Sequence, residues 1–312
     1  MKILVTGGAG FIGSWVVDKL IEKGNEVVLI DNFSTGKKEN LNEKAKIYYL
    51  DICEHDRLVE IFEKEKPEIV FHLAAQVMLR KSIEDPLYDA KNNVLGTISV
   101  LEACRKCNVR KIIYTSTGGA RVGEPEYLPV DEKHPLNPSS PYGISKHSAE
   151  HYVWTYNKLY DLDYLIFCFG NVYGPRDSAE TKRLVPLFSD MMIKGKVPKI
   201  FGDGEQTRDF IYVLDLVDFI VDSMDKSPKS KLFHLANGNQ VSINEMCNAL
   251  KEVSNSDVEF EHVDAVPGEV RDIVLDISLA KEELGWNPKT DIKEGLKQTW
   301  DWFNKTTKKI VE

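Results

Sequence analysis

The sequence has few cysteines and no long apolar run, and each shortage excludes a class of protein. Its five cysteines are a sparse and odd-numbered set, which does not suit a disulfide framework. The sequence contains no run of about 18 apolar residues, the length that a membrane span requires. The start of the chain leads straight into a glycine-rich turn and does not suggest a secretion signal. We therefore expect a cytoplasmic protein with no membrane partner.

Positive charge is also scarce relative to negative charge. Lys and Arg total 40 against 49 Asp and Glu, giving a net charge of −9. Because phosphate backbones select basic surfaces, no nucleic-acid partner is expected. Cys104 and Cys107 have the spacing of a metal or redox pair, but they lie in a helical stretch without a second pair, so no metal is expected.

Short apolar strands alternate with helical stretches through the first half of the chain, which indicates crossover units and a parallel sheet. The predicted strands are Ile3–Thr6, Glu26–Ile30, Ile47–Leu50, Glu68–Leu73, Lys111–Ser116 and Tyr164–Phe169. The predicted helices are Phe11–Lys23, His55–Lys64, Asp89–Cys107 and Tyr142–Tyr160. We expect an α/β fold, a doubly wound parallel sheet of the Rossmann type.

After residue 170 glycine and proline interrupt the pattern more often, which predicts a smaller, mixed α/β substrate-binding lobe. The segment Arg208–Lys226 has a strand-like start and an amphipathic helix, and it is expected to return to the first domain. The predicted division is 1–168 plus 208–236 for the domain that contains the parallel sheet and 169–207 plus 237–312 for the lobe.

A glycine-rich turn follows the first predicted strand and opens the first helix, in the order Gly7, Gly10, Phe11, Ile12, Gly13. The first glycine allows a tight turn, the second lets the backbone approach a pyrophosphate, and the third lets the helix pack closely on its strand. The helix N-terminus adds a favourable site for an anion.

Asp31 closes the second strand, roughly 20 residues further on, where a carboxylate binds the adenosine ribose. The same carboxylate would repel a 2′-phosphate, so NAD is favoured over NADP. Lys37 and Lys38 lie nearby and weaken that exclusion slightly; a plain turn role for Asp31 is the alternative.

Tyr142 and Lys146 are four residues apart, which places both side chains on one helix face. A tyrosine base near neutral pH needs its pKa lowered by roughly 3 units from about 10. A neighbouring lysine ammonium favours the phenolate, and a hydroxyl such as Thr117 can bind the substrate oxygen and relay its proton. These three residues are the predicted catalytic set.

Together these residues resemble the extended short-chain dehydrogenase/reductase superfamily, in particular its nucleotide-sugar 4-epimerases. The resemblance covers essentially the whole chain. It is carried by Thr6–Gly13, Asp31-Asn32, Asp51-Ile52, Leu73–Gln76, Asn92, Thr115–Gly119, Tyr142 to Lys146, Asn171–Arg176, Phe201–Gly204 and Arg208-Asp209.

The resemblance implies roles for further residues on the cofactor side. Asp51 and Ile52 would border the adenine, while Ala74 and Ala75 would lie along the phosphates and ribose. The remaining cofactor contacts would be Asn32, Leu73, Asn92, Thr115, Tyr142 and Lys146.

On the substrate side, a UDP-sugar is expected to contact Thr117, Tyr142, Asn171, Phe201, Arg208, Glu269, Arg271 and Ile273. Asn171 would bind the phosphates, Phe201 the uracil and Arg208 the pyrophosphate. Glu269 would bind the nucleotide ribose, and Ile273 would border the C2 substituent of the sugar.

The sequence departs from the family pattern at two positions. Val266 stands where the family often has an arginine, and Arg271 is the expected substitute for that pyrophosphate contact. Cys168 stands where an arginine usually precedes the Asn-Val-Tyr-Gly-Pro run, which we interpret as a change in packing.

The expected function is NAD-dependent 4-epimerisation of UDP-glucose and UDP-galactose by a homodimer. Epimerases of N-acetylhexosamines or uronic acids, and a dehydratase or decarboxylase of the same superfamily, are the alternatives. Dehydratases commonly have Asp-Glu after the strand threonine, whereas Thr117 is followed here by two glycines. A dinucleotide sensor without activity would not need Thr117, Tyr142 and Lys146 together.

Overall fold

The computed structural model describes residues 1–265 and 270–311, with side chains up to residue 307. The strands are β1 (Lys2–Thr6), β2 (Glu26–Asp31), β3 (Lys46–Tyr49), β4 (Ile69–His72), β5 (Lys111–Thr117), β6 (Asp163–Phe169), β7 (Asn171–Tyr173), β8 (Lys199–Phe201), β9 (Thr207–Arg208), β10 (Phe210–Tyr212), β11 (Leu232–Leu235), β12 (Val241–Ser242) and β13 (Glu261–Val263). The α-helices are α1 (Phe11–Glu22), α2 (His55–Glu65), α3 (Leu79–Glu84), α4 (Pro86–Ala90), α5 (Gly96–Lys106), α6 (Pro141–Tyr160), α7 (Leu184–Ile193), α8 (Val213–Asp222), α9 (Ile243–Ser254), α10 (Ser278–Leu284) and α11 (Ile292–Val311).

Seven parallel strands form the main sheet in the order β11-β6-β5-β4-β1-β2-β3, which confirms the predicted doubly wound architecture. β1 pairs in parallel with both β2 and β4, so successive units extend outward on opposite sides of β1. In open α/β sheets this reversal leaves a crevice at the carboxyl ends of the strands, where ligands bind.

Apolar side chains cover both faces of this sheet. Val16 of α1 and Leu216 of α8 pack on one face, and Phe62 of α2 and Leu101 of α5 on the other. Burial on both faces explains why the run Ile69-Val70-Phe71 is continuously apolar and fully buried. Each such side chain contributes about 1.5–3 kcal/mol when it is fully buried.

The structure differs from the sequence prediction at β11 and at the predicted helix Asp89–Cys107. β11 is a seventh strand of the sheet and pairs with β6. The predicted helix is observed as α4, a π-helical segment over Lys91–Leu95, and α5. Within that segment the Asn93 amide donates to the Gln76 carbonyl at 3.0 Å and to Ser145 Oγ at 3.1 Å. These bonds tie the segment to the crevice, in keeping with the frequent occurrence of π-helical turns at functional sites.

A second hydrophobic core lies among α7, α9 and α11, with Phe188, Met246 and Leu296 buried in it. α9 begins with a capping box in which Ser242 and Glu245 bond each other's backbone N–H groups. α10 belongs instead to the core beside the sheet, where Ala280 and Leu284 are buried. The domain boundaries expected from the sequence stay a prediction.

Among the described residues, no helix combines the length and the apolar character that a bilayer crossing requires.

Candidate active site

A cleft opens at the carboxyl ends of the sheet strands, beside the point where the strand order reverses. Most of the residues predicted to bind the cofactor or to act in catalysis line it, together with Asn171, which was predicted to bind the substrate. They are Gly7, Gly10, Phe11, Ile12, Gly13, Asp31, Asn32, Ile52, Leu73, Ala74, Ala75, Asn92, Thr115, Thr117, Tyr142, Lys146 and Asn171.

The turn between β1 and α1 leaves no space for a side chain at Gly7 of the turn itself or at Gly13 in the first turn of α1. Gly7 has a φ of +70°, a conformation that glycine adopts without strain. A Cβ on Gly13 would lie 2.1 Å from the carbonyl oxygen of Gly7, so the close packing predicted for Gly13 is against the turn backbone more than against the strand. The first N–H groups of α1 have no partner within the helix and lie at the cleft, which suits an anionic ligand.

We predict that Gly13→Ala disrupts this turn. The added methyl group has no room because a backbone carbonyl, not a flexible side chain, blocks it. The expected cost is about 3 kcal/mol, at the upper end of overpacking effects, together with loss of retained NAD. Thermal unfolding and NAD release on denaturation measure the two effects.

Gly10→Ala is the matched control, because a Cβ there approaches no atom closer than 3.2 Å. Its melting temperature should stay within a few degrees of the wild-type value. A Gly13→Ala protein as stable as the Gly10→Ala protein would contradict the steric argument.

Asp31 closes β2 inside the cleft and accepts two backbone hydrogen bonds. Ala9 N donates to it at 2.9 Å and Phe33 N at 2.7 Å. Burial raises the pKa of this carboxyl group, and the two N–H donors oppose the rise. Asn32 lies next to it and donates to Asp51 Oδ2 at 3.2 Å. Asp51 therefore contacts the cleft through Asn32, instead of lining it.

The predicted catalytic residues come from two elements. Thr117 ends β5, while Tyr142 and Lys146 lie in the first turns of α6, which Ser140 caps by accepting from Gly143 N at 3.2 Å. Lys146 Nζ lies 4.3 Å from the ring centroid of Tyr114. The three residues thus meet at one end of the cleft.

Burial changes the proton affinity of two of these side chains. It raises the pKa of Tyr142 to about 12, against the opposing effects of the Arg183 charge and a hydrogen bond with Thr117. It lowers the pKa of Lys146 to about 8, against the opposing charge of Glu150. The cation whose charge lowers the pKa of Tyr142 is thus Arg183, where the sequence predicts Lys146.

Sequence reasoning assigned no role to four charged residues of the cleft: Arg176, Asp177, Arg183 and Lys81. Arg183 pairs with Asp177, which is 1% exposed. Arg176 pairs with Asp18 at 2.7 Å. Arg176 and Asp177 come shortly after the end of β7, so the rule that ligands bind beyond the carboxyl ends of strands could have identified them.

Four predicted substrate residues do not line this cleft. Phe201 is 40% exposed, with the Arg80 guanidinium 5.6 Å from its ring centroid. Arg208 Nη1 donates to the carbonyl oxygens of Thr207 and Arg271 at 2.8 and 3.0 Å.

The other two predicted substrate residues, Arg271 and Ile273, contact other parts of the protein. The Arg271 guanidinium forms two bonds with the Asp203 carboxylate, at 3.2 and 3.1 Å. Ile273 is buried against Gly119, two residues after Thr117. Glu269 and Val266 lie outside the described residues.

Metal ligands were not expected, and the described ranges 1–265 and 270–311 contain no group of three or more His, Cys, Asp or Glu side chains that could hold an ion.

Comparison with known proteins identifies relatives over nearly the whole chain. A family model described as GDP-mannose 4,6 dehydratase matches residues 4–299. A Methanocaldococcus jannaschii protein, provisionally named a UDP-glucose 4-epimerase, is 46% identical over 96% of this chain and 98% of its own length.

Two solved structures are similar over their full length. UDP-glucose 4-epimerase of Thermotoga maritima with UDP-glucose has a TM-score of 0.95 and 42% identity, covering 98% of this chain and 100% of that chain. The Thermus thermophilus UDP-glucose 4-epimerase complex with NAD has a TM-score of 0.91 and 35% identity, covering 97% and 99%.

Proposed function

The chain belongs to the extended short-chain dehydrogenase/reductase superfamily of nucleotide-sugar enzymes, and from this premise we propose that it is an NAD-dependent UDP-glucose 4-epimerase. The observation that carries the proposal is the meeting of Thr117, Tyr142 and Lys146 in the same cleft as the glycine-rich turn. A site that only binds a dinucleotide has no use for a base and a hydroxyl at its far end.

The residues of the cleft fit an NAD molecule. The turn at Gly7 and Gly13 allows a close approach to the backbone, and the free N–H groups of α1 suit a pyrophosphate. The Asp31 carboxylate, held by Ala9 and Phe33, suits the ribose hydroxyls. Bound NAD supplies a hydride acceptor for oxidation of the sugar at C4.

In the proposed mechanism Tyr142 removes the proton of the sugar 4-hydroxyl. Thr117 hydrogen-bonds the same oxygen, and Tyr142 returns the proton when the 4-keto sugar is reduced on its opposite face. Because burial raises the pKa of Tyr142 to about 12, positive charge must favour the phenolate. The Arg183 charge lowers the pKa of Tyr142, and the Lys146 ammonium, which lines the same cleft, is proposed to add to this effect.

We predict that Tyr142→Phe loses at least about 100-fold in kcat and keeps its NAD, since general-base catalysis contributes typically 10² to 10⁴. A coupled assay of UDP-galactose conversion measures turnover, and NAD release measures the cofactor. Tyr152→Phe, at an exposed position of the same helix, is the control and should keep wild-type activity. Near wild-type turnover in Tyr142→Phe would remove this residue from the mechanism.

Epimerisation is favoured over dehydration because the described part of the cleft has no carboxylate next to the strand threonines. Among the described lining residues the carboxylates are Asp31, at the ribose end, and Asp177, paired with Arg183. Elimination of water needs an added acid and base at the sugar, and Gly118 and Gly119 provide neither.

The sugar is proposed to carry a plain hydroxyl at C2, on the basis of Ile273. A Cβ on Gly119 would lie 3.4 Å from Ile273 Cγ1, so the isoleucine supports the turn that follows Thr117. Its branched side chain is stiff and cannot hydrogen-bond an amide. An N-acetyl group at C2 would clash with the turn after Thr117, because Ile273 keeps that turn from moving away.

Replacing Ile273 with glycine should therefore raise activity on UDP-N-acetylglucosamine relative to UDP-glucose. We expect on the order of 10-fold in the ratio of the two kcat/KM values, the effect of relieving a modest clash. Ile277→Gly, in the same apolar cluster but away from Gly119, controls for lost packing. An unchanged ratio, or a wild type that prefers the N-acetyl sugar, would refute the idea.

A homodimer is the proposed assembly, with α5 and α6 facing the same helices of a second copy. Large apolar side chains stay exposed on this side of the chain: Leu87 is 82% exposed, Leu95 58%, Ile144 52% and Trp154 50%. Leu87 and Leu95 lie on α4 and on the π-helical segment, both of which pack against α6. Exposed apolar side chains on such neighbouring elements suit an interface.

We predict that Ile144→Glu/Trp154→Glu is a monomer at micromolar concentration, where the wild type is a dimer, because the added charges cannot be buried unpaired. Light scattering measures the mass. Val197→Glu is the control, since Val197 is 50% exposed but lies in the loop after α7. A monomeric wild type would refute the proposed assembly.

A further inference from the structure

A buried ion pair lies behind the catalytic end of the cleft. The side chains of Arg121 and Glu150 are 2% and 6% exposed, and Arg121 Nη1 donates to Glu150 Oε2 at 2.8 Å. Ser116 Oγ donates to the other carboxylate oxygen at 2.5 Å, and His147 Nδ1 lies 3.0 Å from Oε2. Glu150 therefore has partners on β5, on the turn after β5 and on its own helix.

Cys168 of β6 is the fifth member of this cluster. Its Sγ accepts from Arg121 Nη1 at 3.4 Å and lies 3.8 Å from Glu150 Oε1. The family resemblance leads one to expect an arginine at position 168. A guanidinium is thus present beside Glu150 after all, but it comes from the turn after β5, so the change at Cys168 involves charge as well as packing.

The cluster joins the two elements that carry the proposed catalytic residues. Ser116 directly precedes Thr117 on β5, and Glu150 lies one helical turn after Lys146 and two turns after Tyr142 on α6. A shift of β5 against α6 would change the distance between Thr117 and Tyr142. Loss of Arg121 would leave the buried Glu150 carboxylate with Ser116 and His147 but without its guanidinium partner. Because a buried charge is stable only when it is well paired, this loss would loosen the place of Glu150 between β5 and α6.

We propose that Arg121 is a positioning residue of the epimerase, which acts through Glu150 to hold the end of β5 in register with α6. This inference rests on the proposed roles of Thr117, Tyr142 and Lys146. Arg121 does not line the cleft itself, so its effect falls on the alignment of the reacting groups and not on the binding of substrate. The charge of Glu150 also keeps the pKa of Lys146 from falling further.

The test exchanges the side chains of positions 121 and 168, which are in contact. Arg121→Cys removes the guanidinium, and Arg121→Cys/Cys168→Arg restores it from β6 with an unchanged amino-acid composition. We expect Arg121→Cys to lose on the order of 10²-fold in kcat, the effect of a misalignment of about 1 Å, with KM changed by less than about 3-fold. The exchanged protein should recover to within about 5-fold of the wild-type kcat.

Arg110→Cys is the control, because Arg110 forms an exposed ion pair with Asp225 and should keep wild-type turnover in reducing buffer. Retained NAD and thermal unfolding report the fold of each variant. If Arg121→Cys does not fold, the exchanged protein alone decides the question: a folded, active enzyme supports the proposal.

Three results would overturn the proposal: wild-type kcat in Arg121→Cys, an exchanged protein that folds with NAD yet stays inactive, or one that does not fold. The Tyr142→Phe variant separates this failure from a failure of the proposed function. An active Tyr142→Phe refutes the mechanism, whereas an inactive Tyr142→Phe beside a fully active Arg121→Cys refutes only the role of Arg121.

Discussion

The close contact between Gly13 and the carbonyl oxygen of Gly7 is the constraint on which the rest of the site depends. With no side chain at Gly13, α1 begins directly above the carboxyl end of β1. Its first N–H groups therefore point into the crevice where the strand order reverses. The backbone N–H of Ala9 in the same turn bonds Asp31, so the turn also fixes the carboxylate at the end of β2. One contact thus aligns the anion site and the proposed ribose site.

The proposed catalytic end of the cleft depends on a different balance, between burial and charge. Burial disfavours both the Tyr142 phenolate and the Lys146 ammonium, raising one pKa and lowering the other. These are the charged forms that the proposed mechanism requires. Neighbouring charges oppose the effect of burial: the Arg183 charge lowers the pKa of Tyr142, and the Glu150 charge raises the pKa of Lys146. Each of these is held in turn by a buried partner, Asp177 or Arg121.

The sheet and the glycine-rich turn that borders the cleft could be predicted because their signals are local. A buried strand such as Ile69–His72 is read from its own residues, and the turn Gly7–Gly13 has a fixed spacing after a strand. β11 was missed although Leu232–Leu235 is as apolar as Ile69–His72, because it lies where glycine and proline interrupt the alternating pattern, and only its pairing with β6 assigns it to the sheet. The π-helical segment escaped because it depends on the bonds of Asn93 to Gln76 and Ser145, which are distant in sequence.

The charged pairs could not be predicted either, because their contacts also depend on the fold. Nothing in the spacing of Arg183 and Asp177, or of Arg121 and Glu150, shows that they meet. The bidentate contact of Arg271 with Asp203, 68 residues apart in sequence, was equally hidden. Sequence reasoning could name Arg271 as a free cation for a pyrophosphate, but only the fold shows the carboxylate that already occupies it.

The distribution of charge also connects the whole chain to its proposed ligand. The chain carries a net charge of −9, which argues against polyanionic partners. The described residues that line the cleft reverse this sign: the cations are Lys37, Lys81, Lys146, Arg176 and Arg183, and the carboxylates are Asp31 and Asp177. Positive charge focused in a concave site raises the local concentration of a small anion, while an acidic exterior keeps large polyanions away. A dinucleotide and a nucleotide sugar, each with a pyrophosphate, are ligands of the kind that this arrangement selects.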